Sequence, residues 1–137
     1  MDGGLIIIKL KPAKVIKKLT RKILPFKIRR FLLKLYWDWI FKKSIKKFRK
    51  LENYKNIEEK LIKDLIRGWG NQGYSSLYGY TKEFIECATK VNGTILDCGS
   101  GLSTILLGIM ADKFDFTVVS LEESEIWAKR IYKYINQ

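Results

Sequence analysis

The apolar residues of this chain change their period along its length. Val15, Ile16, Leu19, Ile23 and Leu24 recur at helical spacing, with Lys17, Lys18, Arg21 and Lys22 between them. Pro25 interrupts the pattern and predicts a second helix beyond it. There Ile28, Phe31, Leu32, Leu35, Tyr36, Trp39 and Ile40 share one face, and Leu33, Trp37 and Phe41 widen it. Only Lys34 and Asp38 are polar between Phe31 and Phe41, and Lys42, Lys43, Lys46, Lys47, Arg49 and Lys50 follow at once. At ~1.5 Å per residue this apolar stretch covers roughly half of a ~30 Å hydrocarbon layer, so it does not span a membrane.

Another amphipathic pattern over residues 54–67 places Ile57, Leu61, Ile62, Leu65 and Ile66 on one face and is expected to stop at Gly68. A glycine-rich loop from Trp69 to Ser76 and a helix over Tyr80–Lys90, closed by Asn92 and Gly93, come next. The period then shortens. Thr94–Cys98 reads as a short buried strand, Gly99–Ser103 as a tight turn and Thr104–Met110 as an apolar helix. Phe116–Leu121 is a β-branched second strand, and Ser124 can cap a last helix over Glu125–Ile135, with Ile126, Trp127, Ile131 and Tyr134 sharing a face. Strand, helix, strand, helix in this order predicts an α/β fold with parallel strand pairing.

Charge sharpens the division. Of 137 residues, 27 are Lys or Arg and 14 are Asp or Glu, for a net charge of +13. Residues 1–50 hold 17 of the basic groups and only two acids, Asp2 and Asp38, a net of +15; residues 51–67 are neutral and residues 68–137 carry −2. The expected organisation is therefore a basic amphipathic helical segment, 1–51, followed by an α/β domain, 52–137. A partner drawn by positive charge belongs to the first segment alone. A short aromatic face bordered by lysines suits a helix lying in an anionic membrane surface, and docking on the protein's own core or on a partner helix suits it as well. Nucleic acid is disfavoured, because the aromatics fall on the apolar face and no nucleic-acid motif accompanies them. The start has no basic n-region, and Asp2 stands where myristoylation needs glycine, so a cytoplasmic chain is expected, with a peripheral membrane contact through residues 1–50 as one of these alternatives.

The chain has no His and two Cys. That removes Ser-His-Asp and Cys-His catalytic units and leaves too few ligands for a structural zinc site. Cys87 and Cys98 read as reduced, buried small hydrophobes.

Chemistry concentrates at the turn between the strands. Gly99 and Gly101 let backbone approach a ligand where a Cβ would collide, and the following helix presents unpaired N–H groups. Glu122 ends the second strand 21 residues after Gly101, the place for an acid that accepts hydrogen bonds from ribose hydroxyls. Asp97 can instead cap the turn through its N–H groups, and Glu123 and Glu125 fit the favoured acids of a helix N-terminus. A dinucleotide fingerprint would carry Gly or Ala where Thr104 stands, and an acid at Asp97 is unusual for it, which weighs against a nicotinamide-dependent oxidoreductase.

Asp97-Cys-Gly-Ser-Gly-Leu-Ser103 resembles motif I of the class I S-adenosylmethionine-dependent methyltransferases, and Val119-Ser-Leu-Glu122, followed by Trp127-Ala-Lys-Arg130, resembles their second motif. The resemblance covers about Gly68–Gln137. It implies a Rossmann-like parallel sheet that binds S-adenosylmethionine. Gly99 and Gly101 would lie beneath the methionine part, Asp97 would organise the turn near the amino-acid moiety, and Glu122 would hold the ribose. Asn71–Ser76 would line the cofactor's outer side. The implied methyl acceptor is a small molecule or glycan, and no residue is assigned a catalytic role. Members of this family build a much larger sheet, so an incomplete sheet holding the first βαβα portion and half of the cofactor site is expected here.

Overall fold

Pro25 does not merely break a pattern: its carbonyl accepts the N–H of Arg29 at 3.1 Å and opens a long helix. A computed structural model describes residues 25–70 and 77–135, so the helix expected over residues 15–24 and the loop residues 71–76 lie outside the described part. Its elements run α1 (Phe26–Arg49), α2 (Glu59–Trp69), α3 (Tyr78–Ala88), β1 (Gly93–Cys98), α4 (Leu102–Ala111), β2 (Phe116–Leu121) and α5 (Glu125–Ile135). The fold is mixed α/β, with five helices and one two-stranded sheet among the described residues. None of these helices is long and apolar enough to cross a membrane.

The chain divides into two compact units between Tyr36 and Trp37. In the first unit, α1 exposes Phe26, Ile28, Phe31, Leu32 and Leu35, with the Arg29 guanidinium 5.4 Å over the Phe26 ring. In the second unit the same helix buries Phe41, Ser44, Ile45 and Phe48 at three- and four-residue spacing. Residues 37–49 thus pack with the α/β unit although they share the basic character of what precedes them. Their buried face is not the aromatic face that periodicity singled out.

The core of the second unit gathers Phe41, Phe48, Tyr54, Leu65, Trp69, Ile85, Ile105, Leu106 and Met110, all nearly inaccessible. Each such side chain gains ~1.5–3 kcal/mol from leaving water. Phe41 meets Tyr134 edge-on at 5.0 Å and lies tilted against Trp69 at 5.6 Å. Helix α2 begins at Glu59 rather than near residue 54, because Asn53 Oδ1 accepts the Lys55 N–H at 2.8 Å and the buried Tyr54 hydroxyl donates to the Phe48 carbonyl at 3.2 Å. Those bonds hold 53–55 as a turn. The helix also runs past Gly68 to end at Gly70. Gly68 is buried inside it, and a Cβ there would lie 2.7 Å from Phe41 Cβ and 2.9 Å from Phe41 Cα. The glycine permits two backbones to touch; it does not stop a helix.

β1 and β2 pair in parallel, in register from Gly93↔Phe116 to Cys98↔Leu121. On one side α4 buries Leu102, Ile105, Leu106, Ile109 and Met110, and Ile95 and Val118 pack against that cluster. On the other side Leu96, Val119 and Leu121 are exposed, with Leu96 paired to Val119. Cys98 belongs to that open face and Cys87 to the outer side of α3, so both free thiols are exposed and the expectation of buried cysteines fails. Residue size and apolarity predicted burial; strand alternation with no covering layer decided otherwise. In α5, Trp127, Ile131 and Tyr134 pack inward while Ile126 is 83% exposed, since Ile126 lies well round the helix from the other three.

Candidate functional site: a glycine turn held by two carboxylates

β1 ends at Cys98, and Gly99 takes φ +90, a left-handed conformation that a Cβ would strain. Its N–H donates to the Leu121 carbonyl at 2.9 Å, prolonging the parallel ladder by one rung and fixing where the turn begins. Ser100 follows, then Gly101 in extended conformation, and α4 starts at Leu102.

Two acids hold this turn, Glu122 directly and Asp97 through Thr104. Glu122 Oε2 accepts both the backbone N–H of Ser100 at 2.9 Å and its hydroxyl at 2.8 Å, and Oε1 accepts the Ser124 N–H at 2.8 Å. The Ser124 N–H bond first, then the hydroxyl and N–H of Ser100, stabilise the charged form and hold the Glu122 carboxyl below the usual carboxylate range. Asp97 faces inward. Its carboxylate accepts the hydroxyls of Ser103 at 3.1 Å, Thr104 at 2.5 Å and Ser120 at 3.3 Å. Thr104, 5% exposed, returns the favour to the turn by accepting the Gly101 N–H at 3.0 Å. One hydroxyl therefore links Asp97 to the first residue before α4, satisfying an N–H that the helix leaves unpaired.

Asp97, Gly99, Gly101 and Glu122 all line one open cleft of about 770 Å³ at the C-terminal ends of the strands. The structure thus brings together the four positions that the sequence singles out. Asp97 and Glu122 nonetheless differ in character. Asp97 accepts three side-chain hydroxyls, whereas Glu122 accepts two backbone N–H groups and one hydroxyl. Among the described residues nothing lies within 4 Å of where a Gly101 Cβ would project, so none of them demands glycine there. Glu123 and Ser124 also reach the cleft, and Ser124 Oγ accepts the Trp127 N–H at 3.5 Å as a cap for α5. Asn71–Ser76 lie outside the described residues.

Sequence reasoning missed the aromatic wall. Trp69, Tyr80 and Trp127 line the same cleft. The Arg130 guanidinium sits 3.9 Å over the Trp69 ring and 4.9 Å over the Trp127 ring, and donates to the Trp69 carbonyl at 2.7 Å. This clamp ties the end of α2 to α5, the helix that starts beside Glu122. The Trp127–Arg130 spacing of one helical turn was a legible signal for half of it; Trp69 is brought in by tertiary packing. In the sequence Thr104 departs from a dinucleotide fingerprint and opens a predicted helix; in the structure its hydroxyl links Asp97 to Gly101. No group of His, Cys, Asp and Glu among the described residues is arranged to hold a metal ion.

No family model, curated protein or solved structure matches the chain.

Proposed function

We propose that this chain carries the cofactor half-site of a class I S-adenosylmethionine-dependent methyltransferase, on the first strands of a Rossmann-like sheet. The observation that carries the reading is the convergence of a left-handed glycine, an unobstructed Gly101 and a rim carboxylate, Glu122, on one cleft at the strand ends. Parallel pairing supports it, because ligands of open α/β sheets bind outside the carboxyl ends of the strands.

The residues present fit such a cofactor. Gly101 leaves room for an adenosylmethionine backbone where any side chain would intrude. Glu122, whose bonds from Ser124 and Ser100 favour its charged form, would accept ribose hydroxyls on Oε1 beside the Ser124 N–H, while Oε2 keeps the turn in place through Ser100. Asp97 acts behind the turn, fixing Thr104 and thereby the N–H of Gly101, the residue before α4. When bound, the cofactor supplies an electrophilic methyl on a sulfonium; this chain's part is to hold and orient it, which is the larger share of catalysis in methyl transfer.

The test is calorimetric titration of the chain with S-adenosylmethionine and S-adenosylhomocysteine, repeated on Glu122→Ala and Gly101→Val. Binding that both substitutions abolish supports the site. Undiminished binding in either variant overturns it, and displacement of the ligand by a nicotinamide dinucleotide at equal concentration would reassign the cleft.

A further inference from the structure

Among the described residues, helix α1 presents an exposed apolar stripe. In the first unit Ile28, Phe31, Leu32 and Leu35 recur every three or four residues on one face and are 46, 60, 38 and 48% exposed. In the second unit Trp39 is 56% exposed, with the Lys43 ammonium 5.3 Å over its ring. The helix's core-facing positions are others, Phe41, Ile45 and Phe48. Large apolar side chains held in water in a row are costly, and on a soluble surface such a row marks an interaction site.

Charge says what covers it. Residues 26–50 hold ten Lys and Arg and a single acid, Asp38. Lys27 and Lys34, both exposed, border the stripe on one side and Arg29 on the other. A second copy of this chain would set cations against cations, each copy carrying +13. Nucleic acid would use the cations, but Ile28, Leu32 and Leu35 have no ring on which a base could stack. An anionic lipid surface uses both features: the acyl boundary takes the aliphatic and aromatic stripe, and the headgroup phosphates take the flanking cations, whose stems lie along the apolar surface.

We propose that α1 lies in the interface of an anionic bilayer, inserting Ile28, Phe31, Leu32 and Leu35 and pairing Lys27, Arg29 and Lys34 with lipid phosphates. This interaction is independent of the cofactor reading, since none of these residues lines the cleft.

The experiment is flotation of the full chain with vesicles of phosphatidylcholine alone or with phosphatidylglycerol added. The chain is expected to float with the anionic vesicles only and to be released at about 0.5 M salt, where the Debye length is short. Phe31→Ser/Leu35→Ser should weaken binding ~10-fold or more, through lost apolar insertion. Tyr132→Ser, an equally exposed aromatic on α5, should leave it unchanged. Circular dichroism checks that the variants keep their helices. Failure to float, equal binding to neutral vesicles, undiminished binding of the double variant, or duplex DNA displacing the chain from vesicles would each overturn the proposal. Titration with S-adenosylmethionine, read separately, reports on the cleft alone.

Discussion

Glu122 and Ser100 meet through two hydrogen bonds to one oxygen, the backbone N–H at 2.9 Å and the hydroxyl at 2.8 Å, so the acid that ends β2 also shapes the turn that follows β1. The carboxylate proposed to bind ribose is thus also part of the fold that presents it. The same two groups give the site a pH signature. Ser124 and Ser100 stabilise the ionised form, and the folded-state pKa of Glu122 lies below its ordinary value of 4.5. A depressed carboxyl contributes stability fully present above that ordinary value and lost as pH falls through the folded one.

Ser100→Ala should therefore raise the Glu122 pKa toward its ordinary value, read from the carboxyl shift in an NMR pH titration. The remaining Ser124 and Ser100 N–H bonds should keep it from returning fully. An unchanged titration in the variant would mean that the hydroxyl contributes nothing to the charged form.

The two glycines of the turn should respond oppositely to substitution. Gly99→Ala forces a Cβ into φ +90 and is expected to cost ~1–3 kcal/mol, visible as a lowered thermal midpoint. Gly101→Val enters open space among the described residues from an extended conformation and should leave stability within ~0.5 kcal/mol of the parent while abolishing cofactor binding. Thermal melts beside calorimetric titrations of both variants check the pair. Loss of stability at Gly101, or retained binding there, would remove the ligand-based reason for a glycine.

The elements whose pattern is local were legible in the sequence. Phe116–Leu121 and Glu125–Ile135 coincide with the predicted bounds, and β1 begins one residue early, at Gly93. The glycine turn and its two strand-end acids were also legible, because chemistry there depends on spacing along the chain. Features that depend on a covering layer were not. Cys98 and Leu96 alternate like half-buried residues yet face outward, since nothing among the described residues covers that side of the sheet. Gly68 carries no local sign that it is a contact point and not a stop, because the atoms that require it belong to Phe41. The Asp97 network was half visible: the acid stood out, but its three hydroxyl donors come from α4 and from β2 and meet only after the strands pair.

Gly68→Ala tests the close approach of α2 to α1. Alanine favours a helix interior by ~1 kcal/mol over glycine, and overpacking costs ~1–3 kcal/mol, so the net change should be destabilising. Its Cβ would meet Phe41 Cβ, Cα and N at 2.7, 2.9 and 3.0 Å, and two of those atoms are backbone. Phe41→Ala should accordingly fail to rescue Gly68→Ala in a double-mutant cycle followed by urea denaturation. Stabilisation by Gly68→Ala alone would show that the helices can part without cost.

Cys98 offers a direct report on the cleft. Both thiols are exposed, so both should react with an aromatic disulfide reagent at pH 8, giving two equivalents of released thiolate from the folded chain. Only Cys98 lines the cleft with Gly99, Gly101 and Glu122; Cys87 lies on α3, away from its lining. Saturating S-adenosylmethionine should slow modification of Cys98 by about tenfold or more, if it occupies the cleft nearly all the time, and leave Cys87 at its original rate. Cys87→Ala and Cys98→Ser variants assign the two phases. Equal protection of both residues would point to a global change in the chain, and protection of neither would place the ligand outside this cleft. Repeating the measurement on Glu122→Ala links the protection to the carboxylate: with the proposed ribose acceptor removed, the reaction of Cys98 should return to its unliganded rate at the same cofactor concentration.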